Sequence, residues 1–528
     1  MKRREFLTAA ASFGLATTGI ARSTVAQASR ALKFVPHADL TVLDPIASAA
    51  IVTRNHAALV FDMLYGVDDT NIAHPQMVEG HTVEDGGKLW TMKLRPGLLF
   101  HDGSPVLPRD VIASLRRWAK RDSYGDALFM NTVELSAPDD RTIKFRLRAP
   151  MANLPYILGK DGPYLAVIMP ERLALNEVTK PVTEMIGSGP FRFLPEARVS
   201  GSLVVYEKFD RYVPRADGTP NFLAGPKVVK LNRIEWHTMP DPATAAAALQ
   251  TGEIDWWERP TIDLLPLLER HKAIEIRSTL VDGAHGVLKF NFLTPPFDNP
   301  AVRRALLPAL DQASFMMGAR GEKRDTWKDG VGFFQSASPY ANPSSLDAIR
   351  GPRSIDKAKA LLKESGYKNE PVVLLMPSDN FEINALAEVA ADLMKSIGMN
   401  VDRQVTDWGT VIQRIQSQKP IEQGGWSAFT TWLPGNYIYD PVVNWYLRGN
   451  GAASVGWPKS AGLESLRTEF LAATDELQRK AVAARIQAQA FTDLPYAPLG
   501  EFYQPTAFNR RVGGVQNGFP VFWNISKA

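Results

Sequence analysis

The dipeptide best suited to acid–base chemistry is His101-Asp102, half of a general-base arrangement if a nucleophile stood beside it. It lies in Phe100-His101-Asp102-Gly103, however, where Asp followed by Gly in a tight turn serves the backbone. Ser188 sits in Gly187-Ser188-Gly189, which lacks the spacing of a nucleophile elbow. No HExxH and no phosphate-cradling G-x-x-x-x-G-K occurs. The eight histidines (37, 56, 74, 81, 101, 237, 271, 285) include no i,i+4 pair, and there is no cysteine. That excludes a thiol nucleophile and Cys-ligated metal, and leaves only a fold-assembled site for any metal. Asp139-Asp140 reads as a solvated turn. The expectation is no catalytic residue, no metal and no cofactor. What remains is aromatic: five of the twelve tryptophans (Trp408, Trp426, Trp432, Trp445, Trp457) fall in one short window with Tyr437, Tyr439 and Tyr446. Trp432 and Tyr437 are read as lying in a loop, Thr430-Thr431-Trp432-Leu433-Pro434-Gly435-Asn436-Tyr437, that faces a ligand. Trp408, Trp426 and Asn436 complete the candidate binding set. Trp and Tyr offer large rigid faces at low entropic cost. The competing reading is that these aromatics are core.

The elements that must position such a set alternate between short strands and amphipathic helices. Phe34-Val35-Pro36 and Leu40–Pro45 read as an opening strand and turn. Ala58, Phe61 and Leu64–Tyr65 predict a helix over 54–65. Trp90, Met92 and Leu94 alternate as a strand before a Pro96-Gly97 turn. Asn299-Pro300 is a helix start with a cap and Pro at the first position, and Val302, Ala305, Leu306, Ala309 and Leu310 form its buried stripe. Pro308 should kink it. The apolar run 372–376, the stripe Leu386–Ile397 closed by Gly398, and Val401/Val405 read as a βαβ unit with parallel pairing. The fold class is α/β.

At 528 residues the chain is long enough for two or three domains, and 45% hydrophobic with 22% charged residues is ordinary for a soluble protein. Residues 1–28 read as a cleaved export leader: a basic start, a mildly apolar run, and Ala26-Gln27-Ala28 at the cut. Lys2-Arg3-Arg4-Glu5-Phe6-Leu7 resembles the twin-arginine pattern. Most of the formal charge of +4 belongs to this leader, through Lys2, Arg3, Arg4 and Arg22 against Glu5. No basic stripe interleaved with aromatics remains, so nucleic acid is not an expected partner. Without cysteine a lipid anchor is impossible, and the expected location is the periplasm.

Residues 89–111, LWTMKLRPGLLFHDGSPVLPRDV, resemble the signature of the dipeptide/oligopeptide-binding proteins of ABC importers, solute-binding family 5. Five more ordered blocks are similar to that family: MIGSGPFRF (185–193), ATAAAALQTGEIDWW (243–257), FNFLTPPFDNPAVRRALLPALD (290–311), SIDKAKALLKESGY (354–367) and Asp475 to Pro498. Six blocks in order are far more specific than any one. The resemblance implies a two-lobed periplasmic-binding-protein-like fold with a subdomain inserted in the first lobe and a ligand cleft between the lobes. The divisions it implies are 29–60 and 185–284 for the first lobe, 61–184 for the insertion, 285–494 for the second lobe, and 495–528 returning to the first. Crossings are expected near Val287–Phe292 and Pro495–Leu499. The implied partners of this monomer are a peptide or other small-molecule ligand and the inner-membrane permease subunits of an ABC importer. Members of the family often place an Asp in the aromatic loop against a peptide's ammonium group; here Pro434-Gly435 occupies that place. An opine, sugar or amine therefore stands as the alternative ligand class, and a periplasmic hydrolase or sensor on the same fold as the alternative activity.

Overall fold

The computed structural model describes residues 31–528, so the leader lies outside the described residues. Two large sheets organise the chain. The first has seven strands in the order Phe191–Phe193, Leu203–Lys208, Arg233–His237, Ala31–Val35, Trp256–Trp257, Thr506–Asn509 and Ile274–Arg277. Its central strand, Ala31–Val35, is parallel to both neighbours. The second has six: Trp327–Lys328, Tyr496–Phe502, Ala284–Phe290, Ala428–Pro434, Pro371–Pro377 and Asn400–Thr406. A four-stranded antiparallel sheet from Val78–Glu84 to Thr142–Leu147 lies in sequence between Ala31–Val35 and Phe191–Phe193, two strands of the seven-stranded sheet.

Ala284–Phe290 and Tyr496–Phe502 pair with each other at the centre of the second sheet. The chain therefore crosses between sheets just before residue 284 and just after residue 502, rather than at 287–292 and 495–499. Both expected crossing segments are apolar because they are central strands, fully buried on both faces.

The helix expected over 54–65 is Ile51–Val60. It stops because the Val60 carbonyl accepts from the Gly189 amide at 2.9 Å. A Cβ on Gly187 would fall 2.0 Å from that same oxygen, so only glycine lets the 187–189 turn approach so closely. His101 completes the junction. Its Nε2 donates to the Gly189 carbonyl at 3.0 Å and its Nδ1 accepts from the Gly187 amide at 3.3 Å. Burial lowers its pKa to about 4, which keeps the ring neutral as that pattern requires. Asp102 accepts from the Ser104 amide and hydroxyl, closing its own turn. His101-Asp102 thus staples two turns to the end of a helix.

The next helix, Pro108–Ala119, begins at Leu107, which has no capping oxygen. Asp110 supplies part of that function by accepting from the Leu107 amide at 2.8 Å. Pro300–Ala305 is capped by Asn299 but is shorter than its stripe to Leu310 implies: the helix ends before Pro308, which lies in a separate tighter turn over Leu307–Ala309 instead of kinking a continuous helix. Pro371–Pro377 and Asn400–Thr406 pair in parallel around the helix Phe381–Ser396. No helix among the described residues is long and apolar enough to cross a membrane.

Candidate functional site

The two sheets meet where several strands end. His37 follows Ala31–Val35, and Glu258 and Arg259 follow Trp256–Trp257, so adjacent parallel strands deliver all three side chains to one edge. Side chains placed beyond the carboxyl ends of parallel strands are the usual furniture of an α/β binding crevice. Helix Ile51–Val60 adds Arg54 and Asn55, both buried. Glu258 accepts from the His37 amide and ring Nδ1, each at 2.8 Å, and from Asn55 Nδ2 at 3.1 Å. Burial opposes its ionisation, but these donors and the neighbouring cations hold its pKa down at about 2.

From the other side come the end of strand Ala428–Pro434 and the turn Gly435–Tyr437. Asn436 Nδ2 donates to the carbonyl of Asp161 at 2.8 Å and to its carboxylate at 3.0 Å. The Tyr437 hydroxyl donates to the Ala49 carbonyl at 3.0 Å, and the Tyr124 hydroxyl to Asp440 at 3.0 Å. The Arg259 guanidinium lies 5.0 Å from the Trp432 ring centroid. The lobes are in contact through these groups. A cavity of about 670 Å³ continues along the same boundary, lined by Ala49, Tyr124, Tyr164, Trp445 and Arg448 among others.

The five expected binding residues do not stay together. Trp432, Asn436 and Tyr437 lie at the lobe boundary. Trp426 is fully buried, packed against Phe429 and Trp457 in an apolar cluster within the second lobe. Trp408 opens a helix over the same cluster and is half-buried against it. Both belong to that layer rather than to the boundary, a correction to the single aromatic site. Trp432 is also not in a loop: it pairs with Gly286 inside a strand that runs to Pro434. The β-branched and aromatic run Phe429-Thr430-Thr431-Trp432 carries that signal. Gly435 cannot bear a side chain, because a Cβ there would stand 1.9 Å from the Asp282 carbonyl oxygen. Arg54, Asp161, Glu258, Arg259 and Asp282 were not anticipated from sequence. The one available sign was Thr53-Arg54-Asn55-His56, four polar residues inside an otherwise apolar helix. Among the described residues no group of three or more His, Asp or Glu could hold a metal ion.

Two lobes built on separate sheets, joined by two adjacent crossings and facing each other across polar strand ends, define a solute-binding protein fold. The model for bacterial extracellular solute-binding proteins, family 5, matches residues 73–455, and the chain belongs to that family. This is a family of binding proteins, not enzymes. The chain is 34% identical, over the full length of both, to a "Probable peptide ABC transporter periplasmic-binding protein" of Sinorhizobium fredii. It is 28% identical to a glutathione-binding protein of Escherichia coli K12 over 79% of each chain. Among solved structures, AgaA of A. tumefaciens R10 in complex with agropinic acid matches with a TM-score of 0.78 at 21% identity, covering 94% of this chain and 99% of that one. DppA of Helicobacter pylori with the peptide STSA matches with a TM-score of 0.77 at 21% identity, covering 95% and 99%. These likenesses establish the fold.

Proposed function

We propose that the chain receives a peptide or peptide-like small solute between its lobes in the periplasm and delivers it to the permease of an ABC importer. The observation that carries this reading is the lobe boundary itself. Trp432, Asn436 and Tyr437 of one lobe interlock with Arg54, Asp161 and Arg259 around polar groups that both lobes supply. Free energy for holding the lobes together comes from ligand contacts made only when they meet. The name of the full-length relative supports the peptide class and the ABC partnership, and the glutathione-binding relative is consistent with a short, polar ligand.

Two measurements test it. Native mass spectrometry of gently purified protein should find a small molecule on part of the population. X-ray scattering with that molecule at saturation should give a smaller radius of gyration than scattering without it. An unchanged radius on saturation would describe a rigid binder and sink the closing-cleft reading.

Export through the twin-arginine route is part of the same proposal and rests on Lys2-Arg3-Arg4-Glu5-Phe6-Leu7. Replacing Arg3 and Arg4 together with lysine should leave the precursor uncleaved in the cytoplasm, seen as loss of the chain from the periplasmic fraction. Undiminished export of that variant would assign the leader to the general secretory route.

A further inference from the structure

Tyr124 and Asp440 meet across the boundary at full burial, 2% and 1% exposed, and each is held ready by its own side of the molecule. Tyr124 precedes the first crossing in sequence, and Asp440 lies between the two crossings. Tyr124 stands in the first turn of helix Ser123–Asn131, whose cap, Asp122, accepts from the Tyr124 and Gly125 amides at 3.0 and 3.1 Å. The other oxygen of that carboxylate receives the buried Lys160 ammonium at 2.6 Å. The helix start is therefore fixed without help from the second sheet.

Asp440 divides its two oxygens. Oδ1 accepts from the Val442 and Val443 amides at 2.7 and 3.0 Å and closes its own turn, which Arg467 braces through the Val442 carbonyl. Oδ2 is left to the Tyr124 hydroxyl at 3.0 Å. Tyrosine rings continue the junction: Tyr124 to Tyr156 at 6.1 Å between centroids, Tyr156 across to Tyr439 at 5.8 Å, and Tyr439 to Tyr340 at 6.0 Å. Both halves are assembled before they meet, so little ordering entropy opposes their union. On separation the hydroxyl and Oδ2 can each take water, so opening strands neither. Such a junction is strong but reversible.

We propose that Tyr124 and Asp440, with the Tyr156–Tyr439 contact, form a latch: positioning residues that hold the lobes together by the chain's own contacts. Tyr124 borders the cavity along the boundary, whereas Asp440, Tyr156 and Tyr439 are outside its lining, so the latch acts on closure. Whatever factor it adds to the closed population, it adds equally to the apparent affinity for a solute taken up by the closed form. The use of the latch in solute capture rests on the receptor reading above; the latch itself does not.

The test begins with the chain lacking cysteine, so Leu175→Cys and Leu477→Cys, at sites 71% and 80% exposed on opposite sides of the first crossing, take a pair of spin labels selectively. Label distances are read in exhaustively dialysed protein with nothing added. The parent should show a short-distance population, and its ratio to the long-distance one should fall about tenfold in Tyr124→Phe, the scale of one hydrogen bond to a carboxylate. Tyr340→Phe is the control: it removes a hydroxyl from the same ring series, but one that donates to Glu476 on its own side at 3.3 Å, and the distances should not move. The melting midpoint of Tyr124→Phe should fall by no more than about two degrees. An equimolar dipeptide mixture should restore the short distance in Tyr124→Phe at about tenfold higher concentration than the parent needs. A parent with no short-distance population, or a Tyr124→Phe variant with the parent's distances, would overturn the latch. So would a midpoint lowered by several degrees at unchanged distances, which would make the hydroxyl purely structural. A parent that ignores the dipeptides counts against the peptide reading alone, since the solute-free distances decide the latch.

Discussion

Replacing Arg117 with methionine should cost the chain about 3–5 kcal/mol of stability at pH 7, read by urea unfolding. Arg117 is presented by helix Pro108–Ala119 and Asp44 by the segment after the first strand, so the pair fastens that helix to the segment leaving the seven-stranded sheet. Both side chains are 1% exposed or less. The guanidinium is bidentate, Nη2 to Oδ2 at 2.6 Å and Nη1 to Oδ1 at 3.0 Å, and its Nε donates to the Asn176 carbonyl at 3.3 Å. The carboxylate also accepts from the Ile46 and Val182 amides. Burial works against ionisation of Asp44, but Arg117 and the two amides outweigh it and lower its pKa. A depressed carboxylate pKa contributes stability that is present above the ordinary value near 3.8 and is lost as pH falls below it. In the methionine variant the sign reverses. Asp44 keeps its desolvation and loses its cation, so its pKa rises and protonation becomes favourable in the fold. The deficit should therefore shrink between pH 7 and pH 5. Arg117→Met combined with Asp44→Asn should recover much of the loss, since neither charge is then stranded. A deficit below 1 kcal/mol in the single variant, or one insensitive to pH, would show that the pair does not fasten the two parts. Helix Ile51–Val60, which carries Arg54, starts a few residues beyond Asp44, so the same loss should weaken solute binding indirectly.

Elements governed by local chemistry were legible in the sequence. Asn299-Pro300 caps and starts its helix, and the apolar periods at 372–405 give a βαβ unit, because neighbours a few residues apart decide each of these. The helix expected over 54–65 ended early for a reason far away in sequence, the capture of the Val60 carbonyl by Gly189. The candidate site shows the same division. Trp432, Asn436 and Tyr437 were accessible because aromatic clustering and Pro-Gly punctuation are local signals. Asp161, Glu258 and Asp282 come from separate elements, and no spacing rule connects them before the sheets are assembled. Trp426 and Trp432 looked equivalent in the sequence, yet the strand beside them divides their surroundings. Trp426 packs with Phe429 and Trp457 in the second-lobe cluster, whereas Trp432 reaches Phe502 and Arg259 at the boundary.

That division yields the second large effect. Trp432→Ala should weaken solute binding by about 2 kcal/mol or more, roughly thirtyfold, the scale of a hot-spot residue. Its ring is half-buried, edge-on to Phe502 with centroids 6.2 Å apart, and its other neighbour is the Arg259 guanidinium at 5.0 Å. Removing the ring takes away a rigid apolar wall and also frees Arg259 from the face that orients it, so shape and charge placement are lost together. Part of the ring packs on its own lobe, and the ligand-free chain should lose about 1 kcal/mol. Trp426→Ala provides the contrast. That side chain is 0% exposed, and truncating it should cost about 3–5 kcal/mol of stability in the ligand-free chain. Calorimetric titration and ligand-free unfolding on both variants separate the roles. For Trp432 the binding loss should exceed the folding loss, and for Trp426 the order should be the opposite. Equal folding losses in the two variants, with binding by the Trp432 variant unchanged, would remove Trp432 from the site and assign it to the core of the second lobe.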